Sequence, residues 1–221
     1  MRKRYAMSSK SPAKLKADLI RRAREIGFDD CRISVAEPPR HTPEFRDWLH
    51  SGSAADMDWI ERGAEKRCDP QKVLPGARSV VVLAMNYWEG EATAPNEHGG
   101  RIARYAWGND YHDVVKDKLE ELDRFLTAAG GRQKHYVDTG PVLERDFAAE
   151  AGIGWYGKST MLLNAELGTW FFLAEIFTTL ELPPDSPHRE VLEQTALNCP
   201  VHKSLPPEIK RPTKFFWEGP G

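Results

Sequence analysis

The sequence reads as a layered domain of the α/β or α+β class, followed by a tail of different character. Three observations carry this reading. An amphipathic helix starts at Asp110, with Val115, Leu119, Leu122 and Leu126 on one stripe and Gly130-Gly131 behind it. The run Ser79-Val-Val-Val-Leu-Ala-Met85 is apolar on both faces, as a fully buried strand is. A second strong strand spans Trp170 to Thr179. Helices alternating with buried strands give a sheet covered by helical layers.

Each further element has its own signal. Ser11-Pro12 predicts a helix start, with Ser at the N-cap and Pro at the first helical position. Leu15, Leu19, Ala23 and Ile26 then recur at helical spacing, and Gly27 closes the helix. Phe28 to Val35 predicts a short strand, ended by Glu37-Pro38-Pro39. Pro43 to His50 and Asp56 to Arg62 predict two short helices, and Asp69-Pro70 a loop. A polar loop with Pro95, Gly99 and Gly100 follows the buried strand. Lys134 to Asp138 predicts a strand that ends in the turn Thr139-Gly140-Pro141, and Val142 to Ala151 a helix. No internal repeat is present.

Eight of the sixteen prolines fall between Pro183 and Pro220, with few periodic apolar residues among them. That composition predicts an extended or disordered tail. The expected organisation is a flexible basic stretch over 1–11, a compact domain over 12–182 and the tail over 183–221.

At 221 residues the chain can bury a core without disulfide or metal staples. Its 40% hydrophobic and 29% charged residues are ordinary globular chemistry. Thirty-one Lys and Arg against thirty-three Asp and Glu give a net charge of -2, which argues against holding nucleic acid by counterion release alone. The longest apolar run, Val80 to Met85, is far below the roughly twenty residues of a membrane span. Arg2, Lys3, Arg4 and Lys10 are not followed by an apolar stretch, so no secretory signal is read and Met7 is a possible start. Cys31, Cys68 and Cys199 are odd in number and widely spaced, which suits a reducing compartment. The expectation is a soluble, cytoplasmic protein without a membrane partner.

Gly152-Ile-Gly-Trp-Tyr-Gly157-Lys158-Ser159 matches both G-x-G-x-x-G and the P-loop pattern G-x-x-x-x-G-K-[ST]. A phosphate cradle needs a strand entering the loop and a helix leaving it. Here the preceding residues read as helix, and Trp155 and Tyr156 crowd the cradle. An NTP-binding P-loop protein stays as the weaker reading. The seven histidines and three cysteines show no metal-ligand spacing. His112 reads on spacing as a cap or surface residue. Asp138 ends a strand before a rigid turn, where catalytic groups are often placed. On the residues alone the favoured reading is that it caps the following helix or stabilises the turn as an Asx residue.

A set of segments, in order, adds a different kind of information. They are Glu65-Lys-Arg-Cys-Asp-Pro70, Leu74-Pro-Gly-Ala-Arg-Ser79, Arg104-Tyr-Ala-Trp-Gly-Asn-Asp-Tyr-His112 and Val137-Asp-Thr-Gly-Pro-Val-Leu-Glu-Arg145. Gly152 to Lys158, Leu163-Asn164, Gly168-Thr-Trp-Phe-Phe-Leu173 and Leu182-Pro-Pro184 complete them. Together, from about residue 15 to 185, they resemble epoxyqueuosine reductase, the cobalamin-dependent enzyme of the last step of queuosine synthesis in tRNA.

The resemblance implies a mixed sheet with helices on both faces, similar to flavin nitroreductases, binding cobalamin base-off. It implies that Asp138 is the proton donor and that the Gly-Trp-x-Gly-Lys segment lines the corrin pocket. Arg67, Tyr105, His112, Arg145, Lys158, Ser159 and Leu163 are the implied cofactor-binding residues. It implies tRNA as the partner and an external electron donor. Two departures stand out: Asn109 replaces a family arginine, and no C-x2-C-x2-C-x3-C-P runs for two [4Fe–4S] clusters follow the Leu-Pro-Pro segment. The chain therefore looks truncated before the iron–sulfur module. A non-catalytic cobalamin-binding or carrier domain is the alternative that keeps the same resemblance.

Overall fold

The computed structural model describes residues 11–90, 100 and 102–186. The expectations for residues 1–10, for the loop at Pro95 and Gly99, and for the tail from 187 onward with Cys199 lie outside the described residues. Contacts divide the chain into residues 1–186 and 187–221, and the architecture is that of the first unit.

Helix α1 (Pro12–Glu25) begins where its sequence sets it, with the Ser11 hydroxyl accepting the Lys14 N–H and Pro12 in the first turn. Strand β1 (Asp30–Val35) follows, then four short helices: α2 (Thr42–His50), α3 (Asp58–Arg62), α4 (Ala64–Cys68) and α5 (Pro70–Val73). Strand β2 (Ser79–Asn86) leads to a 3-10 turn at Arg104–Ala106 and the long helix α6 (Tyr111–Ala128), capped by Asp110. Strand β3 (Gln133–Tyr136), helix α7 (Glu144–Ala151), the two-residue strands β4 (Trp155–Tyr156) and β5 (Leu162–Leu163), and β6 (Phe171–Thr178) complete the unit.

The main sheet has the order β1-β2-β6-β3. Period-two alternation sorts its side chains. Ile33, Val81, Leu83, Ala174 and Ile176 pack with Leu19, Leu119, Leu122 and Leu126 of α1 and α6. Val80, Val82, Ala84 and Phe177 pack on the other face with Val73 of α5 and Phe147 of α7. Each fully buried leucine of α1 and α6 contributes roughly 1.5–3 kcal/mol from leaving water. Helices thus cover both faces, as expected.

The sheet is not mixed, however: all of its pairings are antiparallel. Val35 lies opposite Ser79, so the excursion through α2 to α5 re-enters the sheet at the end it left. Such a return makes no crossover, and without one adjacent strands run antiparallel. The loop expected at Asp69-Pro70 is instead the start of α5, with Asp69 accepting the Gln71 N–H at 2.8 Å. Strand β3 stops at Tyr136, short of Asp138, because Asp138 has a φ of +55° and no strand passes through that conformation.

Packing carries on beyond Leu182. The Leu182 N–H donates to the Ser79 hydroxyl at 2.9 Å. Asp185 accepts the Ile33 N–H at 2.9 Å, donates its own N–H to the Ile33 carbonyl at 2.8 Å and pairs with Lys16 at 2.7 Å. Among the described residues, no helix is long and apolar enough to cross a membrane.

Candidate functional site

Asp138 sits at the centre of a three-residue turn. The Thr139 N–H donates to the Val137 carbonyl at 2.5 Å, and Asp138 takes the left-handed φ of +55°. Such a turn is rare and strained, at a cost of about 1–3 kcal/mol for a residue with a side chain. Helix α7 is preceded by Leu143 with no side-chain cap, so Asp138 does not cap it. Its carboxylate instead accepts a hydrogen bond from the Tyr111 hydroxyl and lies 3.6 Å from His112 Nε2. The Asp138 side chain is 61% exposed.

Tyr111 and His112 form the first turn of α6, and the Asp110 cap positions both. Asp110 accepts the His112 N–H at 2.9 Å and meets His112 Nδ1 at 2.8 Å, which holds its own carboxyl below the usual range. His112 Nε2 is shut off from solvent yet has no hydrogen-bond partner among the described residues. His112 is therefore neither a cap nor a plain surface residue. Tyr111 stacks on Phe172 at 4.1 Å between ring centres, and burial together with the Asp138 contact pushes its phenol up.

Behind Asp138 lie two carboxyl groups. Glu175, in mid-β6, is fully buried, and burial with the neighbouring Glu144 charge pushes its pKa well up. Glu144 opens α7; the residue is partly exposed, yet its Oε1 is shut off from solvent. Desolvation and the Asp138 charge raise Glu144 to about 7, while the Asp138 main-chain N–H counters the shift. Arg67 faces Glu144 from α4, and desolvation lowers its guanidinium pKa.

The segment 152–164 is a hairpin, in which Trp155 pairs with Leu163 and Tyr156 with Leu162. A helix enters it and a strand leaves it, the reverse of a P-loop's order, so the NTP-binding reading is overturned. Its glycines serve close packing: a Cβ at Gly154 meets the Leu163 carbonyl and one at Gly157 meets the Leu163 side chain. Arg145 Nη1 reaches from α7 to the Thr160 carbonyl at 2.6 Å, which brings Arg145 beside the turn carrying Lys158 and Ser159. Buried Asp146 anchors the hairpin from below, accepting from the Tyr156 hydroxyl and the His41 N–H and meeting His41 Nδ1 at 2.7 Å. Tyr105 stands apart on the 3-10 turn with its ring exposed.

An aromatic file extends from the Asp138 turn. After Tyr111 and Phe172 come Tyr87, at 4.5 Å from Phe172, then Trp170 and Trp88, 5.0 Å apart. The Arg104 guanidinium covers the Trp88 ring at 3.8 Å. Trp88 and Trp170 remain exposed, a surface suited to a large ligand with an apolar face.

The structure thus brings Asp138 and His112 together at one turn, leaves Arg67 on α4 facing Glu144, and gathers Arg145, Lys158, Ser159 and Leu163 around one hairpin. Sequence reasoning missed Tyr111, Glu144 and Glu175. For Glu175 the signal was present: a glutamate within the apolar run Phe171-Phe-Leu-Ala-Glu-Ile-Phe177 is a charge where strands bury side chains on both faces.

Comparison with known proteins agrees with this picture. The family model described as "Epoxyqueuosine reductase QueG, DUF1730" matches residues 67–139. The chain is 38% identical over 180 residues to the epoxyqueuosine reductase of Cyclobacterium marinum, covering 80% of this chain and 58% of that protein. A crystal structure of epoxyqueuosine reductase with an epoxyqueuosine-modified tRNA stem loop matches with a TM-score of 0.72 at 35% identity, over 79% of this chain and 48% of that one. The Bacillus subtilis enzyme, solved with its catalytic aspartate loop swung out of the active site, matches with a TM-score of 0.70 at 33% identity, over 79% and 47%. A reductive dehalogenase whose structure suggests a mechanism for B12-dependent dehalogenation shares the fold at 17% identity and a TM-score of 0.51, over 80% and 21%. The chain spans about half the length of the curated relatives it matches. By sequence and by fold together, the chain is similar to epoxyqueuosine reductases over about half of their length.

Proposed function

We propose that this chain carries the cobalamin-binding catalytic part of an epoxyqueuosine reductase, with Asp138 as its proton donor. The observation that carries this is the Asp138 turn: a strained aspartate, tied to Tyr111 and 3.6 Å from a His112 nitrogen that is shut off from solvent and has no hydrogen bond among the described residues. The relative whose catalytic aspartate loop swings out supports a mobile acid at such a turn.

The residues present fit a corrin. Arg145, Lys158 and Ser159 offer polar anchors for an amide rim and a phosphate, and Leu163 with the aromatic file offers an apolar floor. His112 Nε2 and Tyr105 are further contacts, and Arg67 lies deeper, behind the turn. Bound cobalamin, base-off, supplies the reducing chemistry. Removing the epoxide oxygen as water takes two electrons and two protons; Asp138 gives one proton and solvent the other, while an external donor supplies the electrons. The substrate is epoxyqueuosine in tRNA, in keeping with the relative solved on such a stem loop. A reducing cytoplasmic setting suits the buried free thiols Cys31 and Cys68.

The test is titration of cob(II)alamin into the folded chain, followed by calorimetry and visible absorbance, for wild type and Asp138→Asn. Both should bind. With tRNA and a working electron supply, wild type should reduce epoxyqueuosine and the variant should not. Absence of binding ends the cofactor assignment, binding without wild-type turnover marks a carrier domain, and turnover by the variant returns Asp138 to a turn residue.

A further inference from the structure

A carboxylic acid that gives a proton away has to regain one before it acts again. As a class, aspartates ionise at about pH 4 and imidazoles at about pH 6.5, so a proton rests more readily on a histidine. Asp138 has such a neighbour. His112 Nε2 lies 3.6 Å from Asp138 Oδ2, is shut off from solvent and has no hydrogen-bond partner among the described residues. The gap is only about 0.7 Å longer than a hydrogen bond.

The other ring nitrogen is already committed. Asp110 accepts the His112 main-chain N–H and meets Nδ1 at 2.8 Å, and these contacts keep its carboxylate ionised. An ionised carboxylate only accepts, so Nδ1 carries the hydrogen of the neutral ring and Nε2 is the nitrogen that gains and loses a proton. Asp110 also caps α6, so the helix start fixes the way the ring faces. Tyr111 stacks on the ring at 4.0 Å between centres and donates its hydroxyl to Asp138 Oδ2. The titratable groups facing the ring thus come from the helix cap (Asp110), the turn after β3 (Asp138) and α6 itself (Tyr111), with Glu144 behind Asp138.

We propose that His112 is the proton reservoir of Asp138: Nε2 holds a proton and hands it across to the Asp138 carboxylate. In that step the Nε2–H bond breaks and an O–H bond forms on Asp138. The imidazolium becomes neutral, the carboxylate becomes a carboxylic acid, and no electron moves. Loading runs the other way. Nε2 has no solvent face whereas the Asp138 side chain is 61% exposed, so protons from water reach the ring through the carboxylate. A substrate seated on Asp138 excludes that water, and the proton already stored on His112 then supplies the acid. His112 acts through Asp138 and needs no contact with the reacting atoms. The meaning for catalysis rests on the reading of Asp138 as the acid; the pairing of the two side chains does not.

Proton–nitrogen NMR of the imidazole ring, followed against pH in the full cofactor-free chain, tests the pairing. The neutral His112 ring should carry its hydrogen on Nδ1, and Nε2 should gain one as pH falls. Asp138→Asn removes the facing charge and should lower the midpoint of that step by about one pH unit. Asparagine tolerates left-handed backbone, so this variant keeps the turn. A wild-type ring with its hydrogen on Nε2, or a midpoint that Asp138→Asn leaves unmoved, overturns the proposal. Turnover supplies a second reading, with cobalamin, tRNA and a donor that reduces the bound cofactor directly. His112→Gln should be slowed about tenfold or more at neutral pH and should recover toward acid pH, where water alone protonates the carboxylate. A loss equal at every pH marks a corrin contact or a structural role and overturns the reservoir. If cobalamin does not bind, the cofactor assignment falls while the ring measurement stands.

Discussion

The Tyr111 hydroxyl donates a hydrogen bond to Asp138 Oδ2, joining the first turn of α6 to the turn after β3. The ring delivering that hydroxyl is fixed by its stack on Phe172. Tyr111→Phe therefore removes the bond while keeping the packing. Loss of a hydrogen bond worth about 0.5–1.5 kcal/mol should slow proton donation a few-fold to about tenfold. Single-turnover reduction of epoxyqueuosine at saturating cobalamin measures this, and an unchanged rate would show that the bond does not aim the acid.

Stability should depend on pH through Glu144. Its carboxyl holds a proton up to about pH 7 when folded, whereas an unfolded glutamate releases it near 4.5. Between those values the folded chain binds more protons, so stability falls as pH rises through the window and levels off above it. The contribution is on the order of 1–4 kcal/mol. Urea midpoints for wild type should decline from pH 5 to 8, and Glu144→Gln should flatten that decline. An equal slope in the two proteins would put the titrating group elsewhere.

Asp146 should be a stability determinant although it touches no proposed ligand. It is 3% exposed and accepts from Tyr156 and from His41, so its removal strands two polar partners at the root of the hairpin. Asp146→Ala should cost about 2–4 kcal/mol in chemical unfolding. It should weaken cobalamin binding as well, since the turn with Lys158 and Ser159 hangs from Tyr156. Normal affinity in the variant would mean that the hairpin keeps its shape unaided.

On the proposed reading, the electrons come to this chain from an external donor. Three cysteines are too few for one [4Fe–4S] cluster, and Cys31 and Cys68 are both buried, with burial pushing each thiol up. Reconstitution of the 221-residue chain with iron and sulfide should give no cluster absorbance. Binding of tRNA should be weak at physiological salt, given a net charge of -2. Under a reductant that suffices for the longer relatives, epoxyqueuosine should persist, and it should be converted only when a donor able to reduce the bound cofactor directly is added; conversion under the first reductant alone would mean that the electron path runs elsewhere.

Helix starts were the most legible part of the sequence, because Ser11 and Asp110 encode their own caps within three residues. The long buried strands β2 and β6 were legible from apolar runs alone. Strand direction was not, since an apolar run looks the same read either way and the pairing depends on where the connection returns. The helices α4 and α5 and the strands β4 and β5 are too short to show a period. For the site, Asp138 was visible as a carboxylate at a turn, but Tyr111 and Glu144 are joined to it only through the fold. The glycines of the 152–157 segment were misleading on their face: the pattern recorded close approach of backbone to Leu163, not to phosphate.

Asp185 has a role that concerns neighbours more than chemistry. Strand β1 lies at the border of the sheet, and an open border invites any passing strand to add itself. At Ile33 that invitation is withdrawn, because Asp185 already occupies both the N–H and the carbonyl that a newcomer needs. A chain ending at Leu182 would keep every proposed contact to cobalamin and to the acid, yet present a bare sticky margin. Its defect would appear in light scattering, as self-association that grows with protein concentration, well before any loss of function per folded molecule.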